Sequence, residues 1–115
     1  MTRKLSLDAT ARELLDAAGR STAHRASHTV VGGHEYTMRQ TVIALLAGAS
    51  LTEHENPGEA TIYVISGRVE VNAGDESWQA RSGDLVEIPP RRHSLHALEN
   101  SAVLLTAIPR ERPTG

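Results

Sequence analysis

Cysteine is absent from the 115 residues, which excludes disulfides, thiolate metal sites and cysteine nucleophiles together. Phenylalanine is absent as well. With one Trp and two Tyr, any core has to be built from aliphatic side chains. Charge of either sign is nearly balanced: twelve Lys and Arg face fourteen Asp and Glu, a formal net charge of -2. No nucleic-acid partner and no anionic membrane partner is therefore expected from bulk charge. Long apolar runs are missing too. The longest stretch without a charge, residues 40–52, includes Gly48 and Ser50 and is too short to span a bilayer. The first residues carry charge but no apolar stretch of the secretory type, so a cytoplasmic location is expected. What remains, 39% hydrophobic and 23% charged residues, is the composition of one globular unit able to bury its own core.

One helical pattern is present. Leu7, Ala11, Leu14, Leu15 and Ala18 form an apolar stripe with Arg12, Glu13 and Asp16 outside it. Thr10 with Glu13 reads as a capping box, with Ser6 or Asp8 as alternative caps, and Gly19 as the stop. After Ser21 the rhythm changes. Turn signals such as Gly32-Gly33, Asn56-Pro57-Gly58, Ser66-Gly67, Gly83-Asp84 and Pro89-Pro90 divide short segments rich in β-branched residues. Short strands at such spacing predict an all-β sandwich or barrel rather than a parallel sheet wound with helices. The expected organisation is an N-terminal helix or arm over 1–20, a barrel over 21–109 and a disordered tail over 110–115. The barrel core is expected from Val42 or Ile43, Leu51, Ile62, Val64, Leu85 or Val86, Ile88, Leu95, and Leu104 or Leu105. Alternation admits only one member of each adjacent pair.

Two segments are more specific. The first runs from Gly48 through His54, Asn56, Glu59 and Ala60 to Gly67; the second runs from Gly83 through Pro89, Arg91, His93 and His96 to Asn100. Together they resemble the two motifs of the cupin superfamily, in particular its small, single-domain, RmlC-like members. The first family motif places Gly, then His-x-His, then Glu, then Gly; the second places Gly, then Pro-x-Gly, then His, then Asn. The resemblance implies a double-stranded β-helix, that is, a jelly-roll barrel, with motif side chains converging on a divalent metal inside it. Gly48, His54, Gly67, Gly83 and Pro89 match. Asn56 stands at the second His position, Ala60 at the Glu position and Arg91 at the Gly position. Glu59 is offset by one residue and should therefore point outward. His93 is aligned with the family's His although it comes one residue early, and His96 is a spare.

The ligand set this implies is His54, His93 and Asn56, holding a divalent transition metal (nickel, zinc or iron) weakly or not at all. Losing the carboxylate at Ala60 removes both charge and a bond. The expected ligand pocket adds Arg39 and Gln40, which lie on opposite faces of one strand, so only one of them looks inward. Trp78 reads as a packing anchor, and His24, His28 and His34 as exposed strand positions. No nucleophile elbow, phosphate loop or dinucleotide fingerprint occurs, and no catalytic residue is assigned. The expectation is a cupin-fold small-molecule-binding protein with a degenerate metal site. The alternatives are a metal-dependent cupin enzyme (oxygenase, isomerase or lyase) acting on a small polar substrate, and a structural dimer module with a vestigial pocket. A homodimer is expected, since the helical stripe needs a surface to cover.

Overall fold

The structure, a computed structural model, describes residues 3–54 and 58–109. Among these, one helix precedes nine strands. They are α1 (Leu7–Gly19), β1 (Arg25–Val31), β2 (Arg39–Leu45), β3 (Ser50–His54), β4 (Gly58–Ser66), β5 (Arg68–Ala73), β6 (Glu76–Arg81), β7 (Leu85–Glu87), β8 (His93–Ala97) and β9 (Ser101–Pro109). The strands make two antiparallel sheets, ordered β1-β2-β9-β4-β7 and β3-β8-β5-β6, which pack as a jelly-roll barrel. No helix among the described residues is long and apolar enough to cross a membrane.

Register decides which side chains meet. In the larger sheet Ile43 lies opposite Val103, Val103 opposite Val64, Leu105 opposite Ile62, and Ile62 opposite Val86. In the smaller sheet Leu51, Leu95 and Val71 lie in line, as do Ala97, Val69 and Ala80. The inner faces of both sheets join in one aliphatic core. Leu51, Ile62, Val64, Ile88 and Leu95 all belong to it or pack against it, as the sequence pattern predicts. The ambiguous pairs are now resolved: Ile43, Val86 and Leu105 look inward, whereas Leu85 is 67% exposed. Val42 and Ala44 are fully buried on the opposite face of β2, beneath α1.

The helix starts at Ser6, whose Oγ accepts the Ala9 N–H at 3.1 Å. Thr10 does not cap; its hydroxyl donates back to the Ser6 carbonyl at 2.9 Å. Ala11 and Ala18 are the buried positions of α1, and such short side chains let the helix sit close to the sheet. It packs on β1, β2 and β9 of its own chain. Ala11 and Ala18 are thus covered by the chain's own sheet, while Leu7, Leu14 and Leu15 of the stripe stay half-buried.

Gly67 makes the turn between β4 and β5 with φ +86°. A Cβ there would overlap Ser101 Oγ and the Asn100 carbonyl oxygen, so both conformation and space demand glycine. Ser101 is fully buried in this junction. Its Oγ accepts the Arg68 N–H at 3.0 Å and donates to the Glu99 carbonyl at 2.7 Å, which satisfies a hydroxyl that water does not reach.

The inward and outward assignments predict contrasting costs for two leucines. Leu95→Ala, at a site 3% exposed, should lower unfolding stability by about 2–5 kcal/mol, and Leu85→Ala by no more than about 0.5 kcal/mol. Equal losses in urea denaturation would contradict the register.

Candidate functional site

His54 ends β3 and Gly58 begins β4 a few residues later; Glu87 ends β7 and His93 begins β8. Chain continuity therefore gathers both motif segments at one end of the barrel. Across the β3–β8 ladder, beyond an irregularity after Leu51, the backbone of His54 pairs with that of His93. Asn56 lies outside the described residues.

His93 is 7% exposed and shares the inner face of β8 with Leu95 and Ala97. Its Nδ1 lies 2.9 Å from the Arg91 carbonyl oxygen. A carbonyl only accepts, so in the neutral ring this contact places the proton on Nδ1 and the lone pair on Nε2. That is the tautomer an imidazole needs to coordinate a cation or accept a ligand's hydrogen through Nε2. Arg91 itself forms an ion pair with Glu76.

On the other sheet Ala60 is buried on the inner face, opposite Ala107, which in turn lies opposite Arg39. Glu59 is exposed on the outer face, as alternation requires. Arg39 follows the inner-face parity of Thr41 and Ile43 and sits exposed at the rim, its stem passing Gly32. Two expected site residues are placed elsewhere. Gln40 points to the helix side, where its Nε2 donates to Thr106 Oγ1 at 3.0 Å beside a hollow lined by Arg3, Leu5 and Leu104. His96 is exposed on the outer face of β8, between Ser50 and Glu70 in the register, so it is not a spare ligand. The cause is the same for both: each is one or three residues from an inward position, and odd steps along a strand reverse the face. Asn100, at the motif interval from His96, serves the fold instead, with its Oδ1 accepting the Ala47 N–H at 2.8 Å.

Sequence reasoning missed two threonines. Thr29 and Thr41 are cross-strand partners on the inward side of β1 and β2, and their hydroxyls are 3.2 Å apart. Together with Arg39 they make the sheet's rim polar above an aliphatic interior. Two threonines twelve residues apart carry no signal until the hairpin register is known. Nearby, a hollow of about 200 Å³ opens between β1 and β3 and reaches Ile43 and Leu51; Arg25 spans this seam, its Nη1 donating to the Ser50 carbonyl at 3.1 Å.

Among the described residues no three His, Asp or Glu side chains come together to hold a metal. Among the described side chains a single imidazole, that of His93, is buried; with alanine where the motif has its carboxylate, these do not fit a tightly held ion, which needs about three protein ligands.

Residues 41–109 match the family model of the cupin domain. The chain belongs to the cupin family. Among solved structures, this cupin is similar to the SPY1581 protein of unknown function from Streptococcus pyogenes (26% identity, 80% of each chain covered, TM-score 0.70). It is similar to KdgF from Halomonas sp. at 27% identity, with 76% of this chain and 82% of that one covered and a TM-score of 0.63. A Cupin 2 conserved barrel domain protein from Salinispora arenicola shares the fold over 92% of this chain and 87% of its own, at 18% identity and TM-score 0.64. No functionally curated protein matches the chain. This cupin therefore keeps the family's barrel, while Ala60 departs from the family's ligand pattern on its inner wall.

The His93 tautomer is directly measurable. Long-range nitrogen–proton NMR correlations should show the neutral ring protonated at Nδ1; protonation at Nε2 would mean that the Arg91 carbonyl does not orient the ring.

Proposed function

We propose that this cupin binds a small molecule in its barrel and holds a divalent transition metal only weakly. The observation that carries the reading is the backbone pairing of His54 with His93 at the end of the barrel whose facing wall presents Ala60 instead of a carboxylate. Two imidazoles, with the Asn56 amide as a neutral third donor as the motif spacing implies, would give a cation bonds but no compensating charge. Nickel, zinc or iron is the cation type such nitrogen donors favour. The rest of the end suits an organic ligand. Aliphatic side chains take its body, while Thr29, Thr41 and Arg39 offer hydroxyls and a guanidinium to an anionic or hydrogen-bonding head.

The metal arm is tested by metal analysis of the purified protein after dialysis against a mild chelator. Wild type should lose its metal, and Ala60→Glu, which restores an oxygen ligand, should tighten nickel binding by on the order of tenfold in calorimetry. Stoichiometric metal surviving in wild type would instead favour a metal-dependent cupin enzyme with an unusual ligand set.

The ligand arm is read by melting temperature. Millimolar butyrate should raise the Tm of wild type, through binding to the folded state alone, and butyramide should raise it less. Arg39→Ala should abolish the difference between the two. A Tm indifferent to small carboxylates, in a protein that also fails to bind nickel, would leave the barrel a purely structural module.

A further inference from the structure

The β6 and β7 strands are consecutive in the chain but belong to different sheets, each at an outer edge. The chain crosses between the sheets at residues 82–84, so a seam runs between these two edges. A cleft of about 500 Å³ lies along it, within the range of small-ligand sites. Trp78, the single Trp of the chain, stands opposite the fully buried Val71 and so turns toward the interior, yet it remains 38% exposed because β6 has no outer neighbour. Across the seam are Val86, Leu85 and Pro89. The charged side chains lining the cleft are Asp84 and Glu87, and none of the described lining residues is basic; Arg68 and Arg81 line the adjoining hollow beyond Asp84. The crossing is firmly held. Asp84 Oδ2 accepts the Arg81 N–H at 2.9 Å, Asp84 N donates to the Arg81 carbonyl at 2.8 Å, and Gly83 N to the Val64 carbonyl at 2.8 Å.

From this combination we infer that the β6–β7 cleft is a second binding site, which meets the barrel end at Glu87 and Pro89 but does not include His93 or Ala60, and that it takes a small organic cation of the alkylammonium class. An indole face attracts a cation through its quadrupole, carboxylates supply complementary charge, and the apolar wall covers the methyl groups that a hydrated metal ion lacks. A neutral molecule of the same shape gains only the last of these. An anion is repelled by both carboxylates.

Trp78 is its own reporter. Choline is the probe, titrated against its neutral carbon isostere dimethylbutanol while Trp78 fluorescence is followed. Choline should perturb the emission saturably in the millimolar range, with the isostere binding at least about threefold more weakly. Glu87→Gln and Asp84→Asn, both at exposed positions, should each weaken choline by about two- to fivefold, and added salt should weaken it further. Calorimetry on Trp78→Leu should show choline binding lost while the melting temperature confirms a folded protein. His93→Ala should leave choline binding unchanged, so failure of the barrel site and failure of this one are distinguishable. Equal response to the isostere, indifference to the Glu87 and Asp84 variants, or loss on His93→Ala would each overturn the inference. So would binding of a strand-forming peptide along the free β7 edge with no response to choline.

Discussion

The structure turns on a single strand that serves two cores at once. The β9 strand lies in the middle of the larger sheet, between β2 and β4, and its alternating side chains look in opposite directions. Val103 and Leu105 enter the barrel, while Ala102 and Leu104 lie on the face that carries α1. Such a strand tolerates no slip in register, because a shift of one residue would exchange the two cores. The junction at its start makes that register unambiguous. Gly67 leaves room for Ser101, and Ser101 ties the Arg68 N–H and the Glu99 carbonyl into one buried knot.

An aliphatic interior follows from the lack of phenylalanine, and it shapes the site. Valine, alanine and leucine fill the barrel toward the end where β2, β4 and β9 approach the Gly67 turn. At the other end, side chains shorten toward Ala60 and Ala107 or become polar at Thr29, Thr41 and Arg39, with the His93 imidazole buried beside them. The barrel thus grades from a packed aliphatic interior to a polar rim. Along the β6–β7 seam the edge strands of the two sheets are not joined to each other, and Trp78 is left half-covered there. Both candidate sites thus occur where the sandwich fails to close, one at its end and one along its side.

The departures from the family motifs acquire a physical meaning once the faces are known. Glu59 does not replace the carboxylate missing at Ala60, since neighbours on an uninterrupted strand cannot share a face, and the β4–β9 register is regular there. His96 cannot stand in for His93, for the same reason. Asn100 keeps its place in the chain but holds the Ala47 turn. The family's barrel has been retained around an inner wall that lacks its acidic ligand, and fold and metal chemistry are separable for that reason.

The sequence by itself determined the fold class, the helix and most of the core. Two-residue alternation between turn signals is a local property, and Leu51, Ile62, Val64, Ile88 and Leu95 could be chosen from it. The motif spacing likewise singled out His54 and His93. Three things it left open were decided only by tertiary structure: which of Arg39 and Gln40 looks inward, which of Leu85 and Val86, and whether the helix covers its own sheet or another chain's. Parity along one strand is legible, but which parity faces the core depends on the partner strand, and pairing is a long-range choice. Thr29 and Thr41 belong to the rim, and Trp78 to an open seam, for reasons that exist only once the sheets have been laid against each other.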